Sequence, residues 1–375
     1  MNTFIHKTIT RRRFLASVGA GAAVCCLKGL AAPFIPAEAE LREAKFYETL
    51  AGGRVRCLLC PRGCVVPDKH RGFCRVRENR GGKYYSLVYG YPAAIHLDPI
   101  EKKPFFHVYP GSKSYSIATV GCNFQCKFCQ NWDISQASPE DVKPAYKSPE
   151  DIASAAIKAN ARTIAYTYTE PVVFNEYVHD CARAGKKAGI ESVMVSNGFI
   201  GNEALKSLFP VLKAVKIDLK SFSQSYYADI CEGQLQPVLD TLERLSGSGV
   251  WYEIVVLLIP TLNDSSDEIK RMSAWIVKEL GQDVPLHFSR YHPMYKIRNI
   301  APTPLETLQR AQKIAAGEGI RFVYIGNVPG AEEQNTICPF CKAMLIRRYE
   351  NSILENNIVS GCCKKCNKPI PGVWE

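Results

Sequence analysis

The most informative feature of the sequence is a group of three cysteines near its middle. Cys122, Cys126 and Cys129 lie within eight residues of one another. A four-iron cluster normally takes four thiolates, so this group either has a distant fourth ligand or leaves one iron open. Cys181 and Cys231, the other cysteines of this stretch, stand alone, and solitary cysteines are most often small buried apolar residues. An open iron can hold a chelating substrate and pass an electron into it, which is the chemistry that the spacing favours.

A second cysteine group lies at the C-terminus. Two Cys-x-x-Cys pairs about 20 residues apart bring four thiolates to one tetrahedral centre, the arrangement of a zinc ribbon. The predicted ligands are Cys338, Cys341, Cys363 and Cys366, which leaves Cys362 as a spare. The apolar residues 344–346 and 353–354 between the pairs predict a hairpin of small strands. We predict a structural metal site, because the set leaves no open coordination position.

A third cysteine group lies between residues 57 and 74 and has less regular spacing. Its members are Cys57, Cys60, Cys64 and Cys74. Zinc and an auxiliary iron–sulfur cluster would both accept four thiolates. Disulfides are a further alternative if the protein is exported. The sequence predicts a metal site here and leaves the metal open.

The elements that must position these groups alternate along the middle of the chain. Apolar, β-branched runs predict strands at 115–120, 163–168, 192–196, 214–219, 252–259, 286–289 and 321–325. Segments with helical periodicity lie between most of them, at 149–160, 172–188, 202–213, 235–246, 265–280 and 304–316. This order predicts an α/β fold of about six parallel βα units, in a barrel or partial barrel. Chemistry in such barrels lies at the carboxyl ends of the strands, where each candidate motif falls.

The Cys-x3-Cys-x2-Cys loop after an apolar strand, with Phe128 before its last cysteine, resembles that of the radical S-adenosylmethionine (SAM) enzymes. The resemblance implies a partial (βα)6-type barrel over residues 111–330, with a [4Fe–4S] cluster on Cys122, Cys126 and Cys129. It also implies that SAM binds the open iron through its amino and carboxylate groups and is cleaved to a 5′-deoxyadenosyl radical. Cofactors of this kind supply the difficult chemistry while the protein orients and shields it.

Further candidate SAM-binding residues follow from the resemblance. They are Phe128, Asn131, Glu170, Ser196, Asn197, Asp218, Lys220 and His292. The segment 167–171 resembles a Gly-Gly-Glu-Pro motif whose backbone meets the SAM amino group, although both glycines are replaced here. Glu170 could instead be a favourable charge at a helix N-terminus.

The later strand ends carry similar alternatives. Ser196 and Asn197 are expected near ribose hydroxyls, or they form a plain turn. Asp218 and Lys220 match an Asp-Leu-Lys motif of the pyruvate formate-lyase activating enzymes, where they would face SAM or a cation, or they form a buried pair. His292 matches a histidine near the adenosyl group of those enzymes, although single histidines are more often satisfied core residues.

Over its mature length the chain resembles the AmmeMemoRadiSam-associated radical SAM family, which is related to the activating enzymes. The segments that carry this match are 56–61, 98–104, 121–131, 166–171 and 370–374. The N-terminal Cys-rich region (40–110) and the zinc-ribbon-like module (331–375) depart from the simple activating enzymes, so a substrate does not transfer. The resemblance implies an electron donor of the flavodoxin or ferredoxin type and leaves the substrate open, with a partner protein as one candidate.

The first 39 residues read as a targeting segment. Three arginines at 11–13 precede a 14-residue apolar run and Ala37-Glu38-Ala39, which resembles a bacterial twin-arginine leader. The run is too short for a good membrane span, so membrane contact is expected through the leader alone. Export or membrane tethering after cytoplasmic folding is expected, or a cytoplasmic location if the leader is uncleaved and the protein is not exported.

The overall composition restricts the remaining classes. A length of 375 residues suggests two or three domains, and 46% apolar and 22% charged residues exclude a disordered chain. The net charge is +11, of which the leader contributes +4 (five basic residues and one acidic), so about +7 remains. This is no strong nucleic-acid signal. A non-catalytic multi-metal or electron-transfer protein is the rival hypothesis, and it predicts closed sites and no affinity for SAM.

Overall fold

The described part of the protein begins with short strands that carry the first cysteine group. The computed structural model describes residues 41–375, so the predicted leader lies outside the described residues. Its first six strands are β1 (Arg42–Glu43), β2 (Tyr47–Thr49), β3 (Val55–Cys57), β4 (Val65–Val66), β5 (Arg77–Arg80) and β6 (Lys83–Ser86). They form two antiparallel sheets, in the orders β2-β3-β4 and β1-β6-β5. The Cys57 amide donates to the Cys64 carbonyl (2.9 Å), so the turn between β3 and β4 draws these cysteines together.

An eight-stranded sheet forms the centre of the molecule. Its strands are β7 (Ala94–Pro99), β8 (Lys113–Ala118), β9 (Thr163–Tyr166), β10 (Glu191–Ser196), β11 (Ala214–Asp218), β12 (Trp251–Leu258), β13 (Leu286–Arg290) and β14 (Val323–Gly326). The strands neighbour one another in chain order. Those from β8 to β14 are parallel, and β7 pairs antiparallel with β8. The predicted α/β fold is confirmed, and within residues 41–375 no pairing joins β7 to β14, so the sheet has two edges.

Helices connect the parallel strands. They are α1 (Trp132–Ser135), α2 (Pro149–Lys158), α3 (Asn175–Lys187), α4 (Asn202–Leu208), α5 (Gln224–Tyr226), α6 (Gln236–Ser246), α7 (Ser266–Trp275) and α8 (Leu305–Gly317). Their first turns follow the sequence signals: Ser148 and Asp151 form a reciprocal capping box before α2, with Pro149 in its first turn. The prediction of one helix over 202–213 was wrong, because Pro210 lies within that segment and α4 ends before it.

The C-terminal module consists of five short strands: β15 (Thr336–Ile337), β16 (Met344–Tyr349), β17 (Ser352–Asn356), β18 (Ile358–Val359) and β19 (Cys362–Cys363). Strands β16 and β17 pair antiparallel, so the predicted hairpin is confirmed. Arg348 is 4% exposed, and its guanidinium donates to the carbonyls of Gln334 (2.9 Å) and Phe106 (2.7 Å). These contacts hold the module against the segment between β7 and β8.

Beneath Phe106 the sheet contains a buried acid–imidazole pair. The Glu253 carboxylate accepts the Phe106 amide (3.0 Å) and contacts His287 Nε2 (2.7 Å), and both side chains are almost completely buried. His287 is therefore a core residue whose Nε2 is paired with Glu253. Within residues 41–375 no helix is long and apolar enough to cross a membrane.

Candidate functional site

A cavity of about 350 Å³ lies at the carboxyl ends of the parallel strands. Its size falls within the range of small-molecule sites, roughly 300–1,000 Å³. The loops after five of the parallel strands contribute to its wall. The predicted residues that line it are Cys122, Cys126, Phe128, Cys129, Asn131, Glu170, Ser196, Asn197, Asp218 and Lys220. The fold therefore brings most of the predicted SAM-site residues to one place.

The cysteine loop is held by backbone contacts on both sides. The amides of Gln125 and Lys127 donate to the carbonyls of Cys231 and Ile230 (2.9 Å each), which lie in a short π-helical turn after α5. The Phe124 amide points at Cys122 Sγ (3.4 Å). An amide that points at sulfur favours the thiolate form, so this contact opposes the effect of burial on Cys122.

Burial is the largest cause of the raised pKa of two of the three cysteines, Cys122 and Cys129. It raises the pKa of Cys122 well above the usual thiol value, with the Glu170 carboxylate adding to the effect. Burial also raises the pKa of Cys129, against a hydrogen bond from Ser135 (3.2 Å) that lowers it. Buried thiolates are costly unless a cation or metal compensates their charge. Together the thiols form a donor set that fits an iron–sulfur cluster.

Cys231 is a residue whose contact with the cysteine loop the sequence did not predict. It is fully buried, and a hydrogen bond between its thiol and that of Cys126 is the largest cause of the raised pKa of Cys126. Cys231 does not line the cavity, whereas Cys126 does. The fold thus places a fourth thiol beside the cysteine loop, in contact with one ligand and away from the cavity wall.

Glu170 is held by three donors at the end of β9. Its carboxylate accepts from the Val172 amide (3.1 Å), the Ser196 hydroxyl (2.7 Å) and the Asn197 amide (2.7 Å). Burial raises the pKa of Glu170 to about 7, although these hydrogen bonds oppose the rise. The carboxylate caps the 3-10 turn Pro171–Phe174 and links β9 to β10. The Glu170 side chain therefore lies at the N-terminus of a helical turn, as the second alternative expected.

The backbone before Glu170 explains the resemblance to a glycine motif. Tyr168 occupies a glycine position of that motif and has φ +67°, in the left-handed region that favours glycine. Its hydroxyl contacts Asp98 and accepts from Lys103 Nζ (3.0 Å), and its carbonyl accepts from Asn131 Nδ2 (2.9 Å). These contacts hold Tyr168 in the left-handed conformation that a glycine would adopt without strain.

Asp98 and Lys103 lie in a segment that carries the family resemblance, but the sequence did not predict them as site residues. Asp98 is 5% exposed and Lys103 3% exposed, and the two form an ion pair. Burial lowers the pKa of Lys103 to about 8 despite this pair. Lys103 also lines the cavity. The 98–104 segment therefore reaches the site from β7, the strand that the alternating pattern did not predict.

A buried pair of this kind leads to a stability prediction. Asp98→Asn should lower the free energy of unfolding by about 3 kcal/mol, because it leaves the buried Lys103 ammonium without a carboxylate. Chemical denaturation followed by fluorescence measures the change. Lys102 contacts the same Asp98 (2.9 Å) but its side chain is 56% exposed, so Lys102→Met should cost roughly 0–1 kcal/mol. Equal losses in both variants would contradict the assignment of the buried pair.

Asp218 lies between two lysines on the cavity wall. Its carboxylate contacts Lys220 Nζ (2.7 Å) and Lys216 Nζ (3.2 Å). Burial raises the pKa of Asp218, but the two ammonium groups outweigh it and hold the pKa at about 2. Lys216, a lysine in a buried strand, was not predicted, and its alternation with Asp218 and Lys220 is the sequence signal that could have revealed it. The triad gives the wall a net positive charge.

Of the remaining predicted residues, Phe128 and Asn197 line the cavity and His292 does not. Phe128 is buried, with Lys220 Nζ 5.9 Å from its ring centroid. Asn197 Nδ2 donates to Asn123 Oδ1 (2.8 Å) and so fixes the loop after β10 to the cysteine loop. His292 is exposed, lies beyond the end of β13 at Arg290, and does not line the cavity. The structure does not bring His292 to the other candidate SAM ligands.

The two flanking cysteine groups differ in spacing. The ligand atoms of Cys338, Cys341, Cys363 and Cys366 all lie within 4.8 Å of one another, and two of their Sγ–Sγ distances are 3.7 Å. Four sulfurs at about 2.3 Å from one zinc ion would be about 3.8 Å apart in a tetrahedron. This set could bind a metal ion. Cys57, Cys60, Cys64 and Cys74 form no group of that tightness among residues 41–375.

Zinc content tests the C-terminal set. Cys341→Ala should remove about one zinc ion per chain, because three thiolates rarely complete a structural site. Inductively coupled plasma mass spectrometry of the purified protein measures the loss. Cys362 lies beside Cys363 but outside the four-thiol group, so Cys362→Ala should retain the ion. A full zinc content in Cys341→Ala would contradict the site.

Comparison with known proteins gives a consistent result. Residues 116–273 match the model of the Radical SAM superfamily. The uncharacterized protein MJ0808 of Methanocaldococcus jannaschii is 44% identical over 332 residues, which cover 88% of this chain and 99% of that protein. The pyruvate formate-lyase 1-activating enzyme of Escherichia coli K12 is 22% identical over 220 residues, which cover 54% of this chain and 89% of that enzyme.

Solved structures resemble parts of the chain. A radical SAM methyltransferase from Sphaerobacter thermophilus is similar over 58% of this chain and 67% of its own, with 14% identity and a TM-score of 0.47. A domain of a pyruvate-formate lyase-activating enzyme from Bacteroides vulgatus is similar over 44% of this chain and 99% of its own, with 19% identity and a TM-score of 0.40.

Proposed function

Because the chain belongs to the radical SAM superfamily, we propose that it is an enzyme that cleaves SAM reductively at a [4Fe–4S] cluster. Cys122, Cys126 and Cys129 would hold the cluster. The observation that carries the proposal is that all three thiols line one cavity, whereas the nearby Cys231 does not. Three cavity-facing thiolates and one buried thiol leave a corner of the cluster accessible from the cavity. When bound, the cluster and SAM supply a 5′-deoxyadenosyl radical that abstracts a hydrogen atom from the substrate.

The residues around the thiols support binding and orientation. Asn131 fixes the Tyr168 carbonyl, which lies in the segment that resembles the SAM amino-group motif. Lys216 and Lys220 give one wall a net positive charge that suits the SAM carboxylate, and Asp218 holds both lysines in place. Buried apolar residues such as Phe128 limit the access of water to the reacting groups.

The narrower assignments rest on the sequence segments named earlier. We place the protein in the AmmeMemoRadiSam-associated family and assign residues 1–39 as a twin-arginine leader and 331–375 as a zinc ribbon. The protein would receive its cluster in the bacterial cytoplasm and then be exported or tethered, or stay in the cytoplasm if the leader is uncleaved. Its electron donor would be a flavodoxin or a ferredoxin, and a partner protein is a candidate substrate.

The direct experiment is a SAM cleavage assay. Anaerobically purified, cluster-loaded and reduced protein is incubated with SAM, and 5′-deoxyadenosine is quantified by liquid chromatography. We expect a time-dependent product that disappears when the reductant is omitted. Colourless protein that contains zinc and forms no 5′-deoxyadenosine would support the rival, a non-catalytic metal-binding protein.

A further inference from the structure

Two buried hydrogen-bond donors lie beside the N-terminal cysteines without a partner. Arg77 Nη1 and the Tyr84 hydroxyl make no hydrogen bond within the described residues, although Arg77 is 1% exposed and Tyr84 is fully buried. An unsatisfied buried donor destabilises the folded state, and does so more strongly when it is charged. Two such donors around one group of thiols indicate acceptors that the protein atoms do not supply.

Two of the three guanidinium nitrogens of Arg77 have partners away from the thiols. Its Nε donates to the Val173 carbonyl (3.1 Å), and its Nη2 pairs with the Glu176 carboxylate, so Nη1 is the free arm. The Gly72 amide donates to the Arg77 carbonyl (3.0 Å), so Arg77 lies beside the segment that carries Cys74.

Tyr84 approaches the group from the other side. A Cβ atom built on Gly72 would lie 2.6 Å from the Tyr84 hydroxyl oxygen and 3.9 Å from Cys64 Sγ. The absence of a side chain at Gly72 thus keeps the space between the hydroxyl and the thiol open.

The spacing of the thiols separates a single ion from a cluster. In the same structure the C-terminal thiols are drawn together to single-ion distances, and the N-terminal thiols are not. Zinc gathers four sulfurs around one ion, whereas a four-iron cluster distributes them over four irons. The wider set and its two free donors suit an anionic cluster with sulfur acceptors, because hydrogen bonds to sulfur are a normal feature of such sites.

We propose that Cys57, Cys60, Cys64 and Cys74 hold a second [4Fe–4S] cluster, to whose sulfur atoms Arg77 and Tyr84 donate hydrogen bonds. This centre adjoins the cysteine loop of the cavity. A Cβ on Gly121, the residue before Cys122, would lie 2.8 Å from the Cys74 carbonyl oxygen. Four cysteines ligate this cluster, so no corner of it is open to SAM.

Iron content in the full-length chain tests the cluster. In Cys122→Ala/Cys126→Ala/Cys129→Ala, anaerobic reconstitution should leave about four iron and four sulfide per chain. The dithionite-reduced variant should give an electron paramagnetic resonance signal that SAM does not alter. Adding Cys57→Ala and Cys74→Ala should remove this iron. Zinc in place of iron, or an iron-free triple variant, would overturn the proposal whatever the outcome of the SAM cleavage assay.

The hydrogen-bond assignment has its own readout, which does not depend on activity. In the same triple-variant background Tyr84→Phe should make the midpoint potential of the cluster more negative, because a donor to sulfur stabilises the reduced state. Tyr85 neighbours Tyr84 on β6 but is part-exposed, so Tyr85→Phe is the matched control and should leave the potential unchanged. An unchanged potential in Tyr84→Phe would overturn the role given to its hydroxyl.

Discussion

Cys126→Ala is expected to reduce 5′-deoxyadenosine formation to the level of a protein-free reaction and to remove about four iron atoms per chain. Cys126 is one of three thiols on the cavity wall, and two thiolates are too few to retain a four-iron cluster. The iron assay and the product assay, made on the same preparation, measure both losses.

Cys231→Ala is the matched control for that variant. Its thiol is hydrogen-bonded to Cys126 and fully buried, but it does not line the cavity. We expect this variant to retain its iron and to form 5′-deoxyadenosine, with a shifted cluster potential because a sulfur contact is lost. A loss of iron equal to that of Cys126→Ala would mean that Cys231 is the fourth ligand, which contradicts the open corner.

Asp218→Asn is expected to lower the rate of 5′-deoxyadenosine formation about 100-fold. Removing one partner of a fully buried ion pair costs roughly 3–5 kcal/mol. The side chain of Asp218 is 26% exposed, so we expect a smaller loss of about 2.7 kcal/mol, at 1.36 kcal/mol for each factor of ten in rate. Without the carboxylate, Lys216 and Lys220 repel one another and leave the positions from which they face the cavity. Initial rates at saturating and limiting SAM concentrations measure the loss.

The control for Asp218→Asn is an exposed aspartate in the same half of the chain. Asp267 forms an ion pair with Arg271 on the surface of α7, and its side chain is 80% exposed. Asp267→Asn should leave the rate within a factor of two, because exposed pairs contribute little. A similar rate in Asp218→Asn and Asp267→Asn would contradict the role given to the triad.

Much of the central fold could be predicted because its signals are local. The seven parallel strands begin and end within two residues of the apolar runs that predicted them, since buried parallel strands are continuously apolar. The antiparallel β7 was missed, because its one buried residue is the charged Asp98, its other residues are part-exposed or exposed, and it ends at Pro99. Its place is determined by pairing with β8, which is a tertiary contact and leaves no periodic signal.

The site residues also differ in whether a local sequence pattern or a tertiary contact places them. Cys122, Cys126 and Cys129 could be predicted because three ligands in one loop are a local pattern. Lys103 could not, because it reaches the cavity from β7. Cys231 resembled any solitary buried cysteine, and its contact with Cys126 depends on the π-helical turn that pairs with the cysteine loop. The sequence left two roles open for Glu170, in SAM binding or as a charge at a helix N-terminus. Only the contacts between β9 and β10 show what its carboxylate binds.

The central claim is that one iron of the cavity cluster has no protein ligand. Electron–nuclear double resonance on the reduced protein with SAM carrying a ¹⁵N-labelled amino group tests it most directly. Our account predicts a ¹⁵N coupling that requires Cys126 and persists in Cys231→Ala. A reduced cluster that shows no ¹⁵N coupling in the wild-type protein and gains one in Cys231→Ala would contradict it, because Cys231 would then occupy the corner assigned to SAM.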